Sequence, residues 1–116
     1  MKRVFADTSY WIAIVRPEDQ WAEVAEKARS SLGQARLVTT DEVLTEFLAA
    51  LSRSGQVLRR AAAEMVRAIL DDPNVTVLPQ SRSSFLKGLG LYEKRTDKEY
   101  SLTDCISMNA MKAESL

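Results

Sequence analysis

The segment from Val4 to Ser9 most constrains the fold, because a short β-prone run ends there in an acid followed by two hydroxyl residues. A strand that ends in Asp7-Thr8-Ser9 places its carboxylate at the carboxyl edge of a sheet, where open α/β sheets bind ligands. Taken alone, Asp7 is better explained as the N-cap of the helix that follows. Two later acids in similar settings favour a functional site instead.

Strand-like and helical patterns alternate along the chain. The β-prone runs lie at residues 4–6, 35–38 and 74–79, and the last of them is bounded by prolines. Helical patterns lie at residues 10–15 (a short buried helix or turn), 18–32, 39–54, 57–71, 81–94 and 101–113. This alternation predicts βαβ units around a parallel sheet, in a single domain that spans residues 1–116.

Two segments carry the signature of a capping box, in which a hydroxyl residue is followed three positions later by an acid. Thr39 is predicted to cap the middle helix together with Glu42, and Ser101 to cap the last helix together with Asp104. Gly55 is expected to end the middle helix.

The composition excludes several kinds of site. The chain has 16 basic and 16 acidic residues, so its net charge does not indicate a passive nucleic-acid binder, whose affinity rests on cationic contacts with phosphate. It contains no histidine, which removes His-based acid–base catalysis, Ser-His-Asp triads and His-ligated zinc. Its single cysteine, Cys105, excludes an intramolecular disulfide and fits a reducing cytoplasm.

No apolar run approaches the length that spans a membrane. The basic N-terminus with the apolar residues after it resembles a signal peptide, but Asp7 interrupts the apolar segment and no small-residue cleavage motif follows. We therefore expect a mature, cytoplasmic protein.

Glu46 and Asp104 are the two later acids. The buried arc of the middle helix is predicted to contain Val43, Phe47, Ala50 and Leu51. Glu46 falls at the border of that arc, where a partly desolvated carboxylate costs stability unless a cation compensates it. Mg²⁺ and Mn²⁺ prefer such oxygen ligands. A bound ion would also let a chain without histidine hydrolyse phosphodiesters, because it activates water and stabilises charge on phosphate.

Each acid also has a structural explanation. Asp7 and Asp104 fit helix caps, which contribute about 1 kcal/mol each. A glutamate at the border of a helix face, such as Glu46, is more often solvated or salt-bridged. Taken singly, the structural explanation is favoured for Glu46 and Asp104, so only the combination of the acids favours a site.

Basic residues that could contact an RNA backbone surround the acids. They are Arg16 and Arg53 after the first two acids, and Arg82, Lys87, Lys94, Arg95 and Lys98 before the third. For most of them a solvated surface is the favoured interpretation. Tyr10, Trp11 and Trp21 are favoured as core or subunit-interface residues over platforms for base stacking.

Three segments, taken in order, resemble the signature blocks of the PIN-domain family. They are VFADTSYWIA around Asp7, TTDEVLTEF around Glu46 and YSLTDCIS around Asp104. The order and spacing are similar along essentially the whole chain. The resemblance is greatest to the VapC toxins of bacterial and archaeal toxin–antitoxin pairs.

The resemblance implies a three-layer α/β/α sandwich around a parallel sheet, with Mg²⁺- or Mn²⁺-dependent endoribonuclease activity. It implies that Asp7 and Asp104 bind the ion and that Glu46 acts directly or through water. The hydroxyl residues that would support these acids are Thr8, Ser9 and Thr103. It also implies an RNA substrate, a homodimer and a VapB-type antitoxin that inserts a peptide near the acidic cleft.

The sequence departs from this family at its C-terminal end. PIN domains of this kind usually carry a fourth acid after a further strand, and Asp97 does not match that acid because it precedes Asp104. The strand that normally lies beside the first strand is also missing before Leu116. We therefore expect a truncated domain that lacks its last strands and exposes a sheet edge beside Asp7. We further expect such a domain to have weakened metal affinity and to be stabilised by a partner.

The leading hypothesis is a metal-dependent ribonuclease toxin in which Asp7, Glu46 and Asp104 are both catalytic and metal-binding. The alternative is a catalytically impaired PIN-like remnant that acts as a dimerising or antitoxin-binding module. A phosphatase with Asp7 as nucleophile is disfavoured, because haloacid-dehalogenase-type enzymes need Asp-x-Asp and Ser9 occupies the second position.

Overall fold

The computed structural model describes residues 2–16 and 35–116. Strands and helices alternate in the order β1 (Arg3–Phe5), α1 (Thr8–Val15), β2 (Arg36–Thr40), α2 (Asp41–Leu51), α3 (Gln56–Asp71), β3 (Val75–Leu78), α4 (Arg82–Lys94) and α5 (Leu102–Ala113). The helix predicted over residues 18–32 lies outside the described residues. Within the described ranges, no helix is long and apolar enough to cross a membrane.

The strands form one parallel sheet in the order β1-β2-β3. Phe5 of β1 pairs with Val38 of β2, which in turn pairs with Thr76 of β3. Because the strands are parallel, their carboxyl ends lie at the same edge of the sheet. The predicted α/β fold with a parallel sheet is confirmed, and β1 is an edge strand of the sheet that the described residues form.

Helix α2 lies at the centre of the hydrophobic core. Phe47 is fully buried, and Val43 and Leu44 on the same helix are buried with Trp11 of α1. Burying side chains of this size supplies most of the favourable free energy of folding. Ala50 was predicted to be buried, but it is exposed. Helical spacing gives the period of the apolar face, whereas the packing of α1 and α3 against α2 decides which residues at its margin are covered.

The N-cap of α2 is Thr40, so the prediction of Thr39 is wrong. The hydroxyl of Thr40 accepts a hydrogen bond of 3.0 Å from the backbone N–H of Val43. Thr39 is fully buried in β2, and its hydroxyl donates to the carbonyl oxygen of Ala6 at 2.9 Å. Glu42 does not complete the predicted box and accepts a hydrogen bond from a serine hydroxyl of α4. The strand thus continues through both threonines, with the Thr39 hydroxyl bonded to the residue after β1 and the Thr40 hydroxyl to α2.

Two other helix boundaries test the capping predictions. Helix α2 ends at Leu51, before the predicted end at Ser54. Gly55 is the N-cap of α3 and not the end of α2, and its φ of 94° lies in the left-handed region that favours glycine. The capping box of Ser101 and Asp104 at the start of α5 is confirmed.

Helices α4 and α5 approach each other closely at Gly88. A Cβ atom at this position would lie 2.5 Å from Cγ1 of Ile106, so the contact requires the absence of a side chain. The C-terminal end of α5 is also tied to β1, because the Arg3 guanidinium donates a hydrogen bond to the carboxylate of Glu114, the C-cap of α5. These contacts hold α5, which carries Asp104 in its first turn, against α4 and β1.

Candidate active site

Asp7 lies two residues after the end of β1 and is the N-cap of α1. Its carboxylate accepts hydrogen bonds from the backbone N–H of Tyr10 at 3.2 Å and from the hydroxyl of Ser9 at 2.9 Å. The residue is exposed at the carboxyl edge of the sheet. The capping explanation is therefore correct for Asp7, and it leaves the carboxylate accessible to a ligand.

Glu46 lies in the middle of α2 and is half-buried. One of its carboxylate oxygens accepts a hydrogen bond of 2.6 Å from the hydroxyl of Thr8, at the start of α1. No ion pair to this carboxylate is formed within residues 2–16 and 35–116. The border position predicted for Glu46 is confirmed, and among the described residues a hydroxyl group holds it in place.

Asp104 lies in the first turn of α5. Its carboxylate accepts a hydrogen bond from the backbone N–H of Ser101 at 2.9 Å, and the Ser101 hydroxyl accepts one from the backbone N–H of Asp104 at 3.0 Å. This reciprocal pair satisfies two donors of the helix N-terminus, and the helix dipole favours a negative charge there. Asp104 nevertheless remains exposed.

The three acids line one cleft, which has a volume of about 690 Å³. Asp7 enters it from the end of β1, Glu46 from the middle of α2 and Asp104 from the start of α5. The predicted supporting hydroxyl residues, Thr8, Ser9 and Thr103, line the same cleft. Residues far apart in the chain thus form a single acidic cleft at the carboxyl edge of the parallel sheet.

Residues 4–116 match the PIN domain family. The chain belongs to the PIN-domain family. Among solved structures, its fold is similar to that of VapC20 from Mycobacterium tuberculosis, a sarcin-ricin loop cleaving toxin, with a TM-score of 0.84 and 25% sequence identity. The alignment covers 97% of this chain and 84% of VapC20. No curated protein matches the sequence significantly.

The donor chemistry of the cleft in this PIN domain suits a hard divalent cation. The side chains that line the cleft include three carboxylates and several hydroxyl groups, and no lysine or arginine is among the described ones. Carboxylate and hydroxyl oxygens are the ligands that Mg²⁺ and Mn²⁺ prefer. In the described part of the chain, however, no three acids or cysteines lie close enough together to form a metal-binding group. The PIN domain therefore gathers suitable donors in one cleft without a closed ligand cluster.

Seven residues that line this cleft were not predicted as site residues. They are Phe5, Ile12, Val43, Tyr100, Ser107, Met108 and Met111. The last three follow Asp104 at intervals of three, four and seven residues, which place them on its face of α5. That spacing was the signal that could have identified them, whereas the position of Tyr100 depends on the loop before α5.

The predicted basic cluster divides between different surfaces of the PIN domain. Arg95 and Lys98 line a hollow next to the acidic cleft, and Arg82 lines another. The Arg95 guanidinium donates a hydrogen bond of 3.2 Å to Asp97, which lowers the pKa of the Asp97 carboxyl and raises the pKa of Arg95. Asp97 does not line the acidic cleft, in agreement with its exclusion as a fourth acid. Trp11 is a core residue, as predicted.

Proposed function

We propose that this PIN domain is a VapC-like endoribonuclease toxin that depends on Mg²⁺ or Mn²⁺. The observation that carries the proposal is the convergence of Asp7, Glu46 and Asp104 on one cleft from three separate elements. Membership of the PIN-domain family and similarity to VapC20, a sarcin-ricin loop cleaving toxin, support the same activity.

Asp7 and Asp104 would bind the divalent ion, with Glu46 acting directly or through water. The ion would supply charge stabilisation at the phosphate and activation of water. The chain's own contribution is to hold these carboxylates in fixed orientations, through the Thr8 hydroxyl and the two helix caps. A carboxylate has about four lone-pair positions, so the capping hydrogen bonds leave acceptor capacity free for a ligand.

RNA is the proposed substrate, and a homodimer and a VapB-type antitoxin are the proposed assembly partners. A cleft with three carboxylates and no lining cation among the described residues is electrostatically complementary to a basic side chain of an inhibitory peptide. Such a peptide would compete with the metal ion for the same carboxylates. Inhibition by the antitoxin would then weaken as the metal concentration rises.

The experiment that tests the activity compares the full chain with its Asp7→Asn and Asp104→Asn variants on structured RNA, with and without Mg²⁺ or Mn²⁺. Asparagine caps helices about as well as aspartate, so Asp7→Asn removes the charge and keeps the N-cap of α1. Asp104→Asn removes the charge and leaves Ser101, the N-cap of α5, in place. We expect cleavage to require the metal and to fall roughly 100-fold or more in each variant, with unchanged thermal stability. Asp71→Asn, at the exposed end of α3, is the matched control and should leave cleavage unchanged.

Cleavage that persists in Asp7→Asn would contradict the proposed roles and indicate a contaminating nuclease. Loss of cleavage in Asp71→Asn to the same degree would indicate a general effect of charge. Either result would refute the assignment of the acidic cleft as the active site.

The second candidate function is a catalytically impaired module for dimerisation or antitoxin binding. It is favoured by one observation, that no three acids within the described ranges form a metal-binding group. Isothermal titration with Mn²⁺ separates the two functions. Binding that disappears in Asp104→Asn supports the enzyme, whereas a dimer in sedimentation experiments that binds no Mn²⁺ supports the module.

A further inference from the structure

A second hollow, with a volume of about 470 Å³, lies beside the acidic cleft. Tyr100 lines both cavities, in the loop between α4 and α5. The two cavities are therefore neighbours on one surface. A linear polymer with one unit in the acidic cleft can place its next unit in this hollow.

The hollow combines aromatic and basic side chains. Tyr92 and Tyr100 contribute two aromatic rings, and Arg95 and Lys98 contribute two cations. Tyr92 is 51% exposed, so its ring is accessible to a ligand. The Arg95 guanidinium lies 5.7 Å from the centroid of the Tyr100 ring, in a cation–π arrangement. Aromatic rings and arginine planes are the surfaces on which unpaired bases stack.

The charges of the hollow nearly cancel. Arg95 is already paired with Asp97, and Glu99 lines the hollow beside Lys98. Lys98 forms no ion pair within the described part of the chain, so its ammonium group is free to contact phosphate. Because two carboxylates offset the two cations, attraction to phosphate is small and stacking must supply most of the affinity.

We propose that this hollow is a nucleotide-binding subsite for single-stranded RNA, in which a base stacks on Tyr100 and Tyr92 while Lys98 contacts its phosphate. This inference rests on the proposed ribonuclease function, because it places the bound nucleotide next to the phosphodiester in the acidic cleft. An unpaired strand is required, because a base within a duplex is already stacked on its neighbours. The subsite therefore directs cleavage to loops or other unpaired regions of RNA.

The test measures binding of a short, fluorescein-labelled single-stranded RNA to the full chain in EDTA, which prevents metal-dependent cleavage. Tyr100→Ala should weaken binding about 5- to 150-fold, the range for the loss of one stacked base. Tyr100→Phe keeps the ring and should bind like the wild type. Phe85→Ala is the matched control, because Phe85 is also an exposed aromatic residue with an arginine over its ring, Arg82, but lies outside both cavities.

Salt dependence separates stacking from phosphate contact. Lys98→Gln should reduce the slope of log affinity against log salt by about 1, whereas Tyr100→Ala should leave the slope unchanged. A Tyr100→Ala protein that binds RNA as well as the wild type overturns the proposal. An equal loss in Phe85→Ala overturns it as well, because the effect would then not belong to this hollow.

A second set of RNAs keeps the test independent of whether Tyr100→Ala folds. Each RNA lacks the base at one position, and one of them should bind the wild type about 5- to 150-fold more weakly than the intact RNA does. Equal affinity for all of these RNAs overturns the subsite. Binding is measured without cleavage, so the two proposals can fail separately. If RNA is not cleaved but Tyr100→Ala still weakens RNA binding, only the ribonuclease is refuted. If RNA is cleaved and Tyr100→Ala binds RNA as well as the wild type, only the subsite is refuted.

Discussion

Gly88 and Gly90 lie two residues apart in α4, and their alanine substitutions are expected to change stability in opposite directions. Alanine in a helix interior is about 0.5–1 kcal/mol more favourable than glycine. A Cβ at Gly90 has no neighbouring atom within 4 Å, so Gly90→Ala should show this gain in full. A Cβ at Gly88 meets Cγ1 of Ile106 at 2.5 Å, and this atom lies in a side chain that is only 5% exposed.

The clash at Gly88 cannot be relieved by moving the end of a flexible side chain. Overpacking of this kind costs about 1–3 kcal/mol. The two variants share the gain in helix propensity, so Gly88→Ala should be less stable than Gly90→Ala by about 1–3 kcal/mol. At about 4 °C per kcal/mol for a chain of this size, the melting temperatures should differ by roughly 4–12 °C.

Urea denaturation of both variants measures this difference directly. In an Ile106→Ala background the clashing atom is absent, so Gly88→Ala should become stabilising, by about the same 0.5–1 kcal/mol as Gly90→Ala. Equal stability of Gly88→Ala and Gly90→Ala would refute the close packing of α4 on α5. A destabilising Gly88→Ala that Ile106→Ala does not rescue would refute Ile106 as the cause.

Two further predictions concern the hydrogen bonds that hold the acids. Asp7→Ala should lose about 1 kcal/mol of stability because it removes the N-cap of α1, whereas Asp7→Asn should not. Thermal denaturation of the two variants measures this difference. Equal melting temperatures would contradict the capping role. Thr8→Val should lose about 1 kcal/mol because the 2.6 Å hydrogen bond to Glu46 is removed, and RNA cleavage should fall because Glu46 is no longer oriented. Thr8→Ser keeps the hydroxyl and serves as the control, and a Thr8→Val enzyme with full activity would show that this orientation is unimportant.

The alternation of strands and helices was readable from the sequence because each element carries a local signal. The β-branched residues of β3 and the capping box of Ser101 and Asp104 act within a few residues, so they predict structure without knowledge of neighbours. The N-cap of α2 was not readable in this way. Thr39 and Thr40 have the same side chain, and only contacts with distant residues distinguish them. The Thr39 hydroxyl donates to the carbonyl of Ala6, just after β1, and accepts from the indole N–H of Trp11.

The candidate site shows the same division. The sequence identified Asp7, Glu46 and Asp104 as candidates, and the fold places all three in one cleft. It could not identify Thr8 as the partner of Glu46, because 38 residues separate them in the chain. Tyr100 was likewise missed. It is the first residue of the YSLTDCIS segment, but its place in the cleft depends on the loop before α5.

The sequence by itself limited the metal ligands that this PIN domain can offer. A chain without histidine and with one cysteine has carboxylates as its strongest metal ligands, and the order of the acid-containing segments indicated the family. The tertiary structure alone decided how those acids are held, which residues line their cleft and which hollow lies beside it. The physical reason is the separation along the chain between the residues that make each contact. Caps and periodic faces arise from contacts within about four residues of the chain, whereas the cleft forms only when the parallel sheet brings the ends of distant elements together.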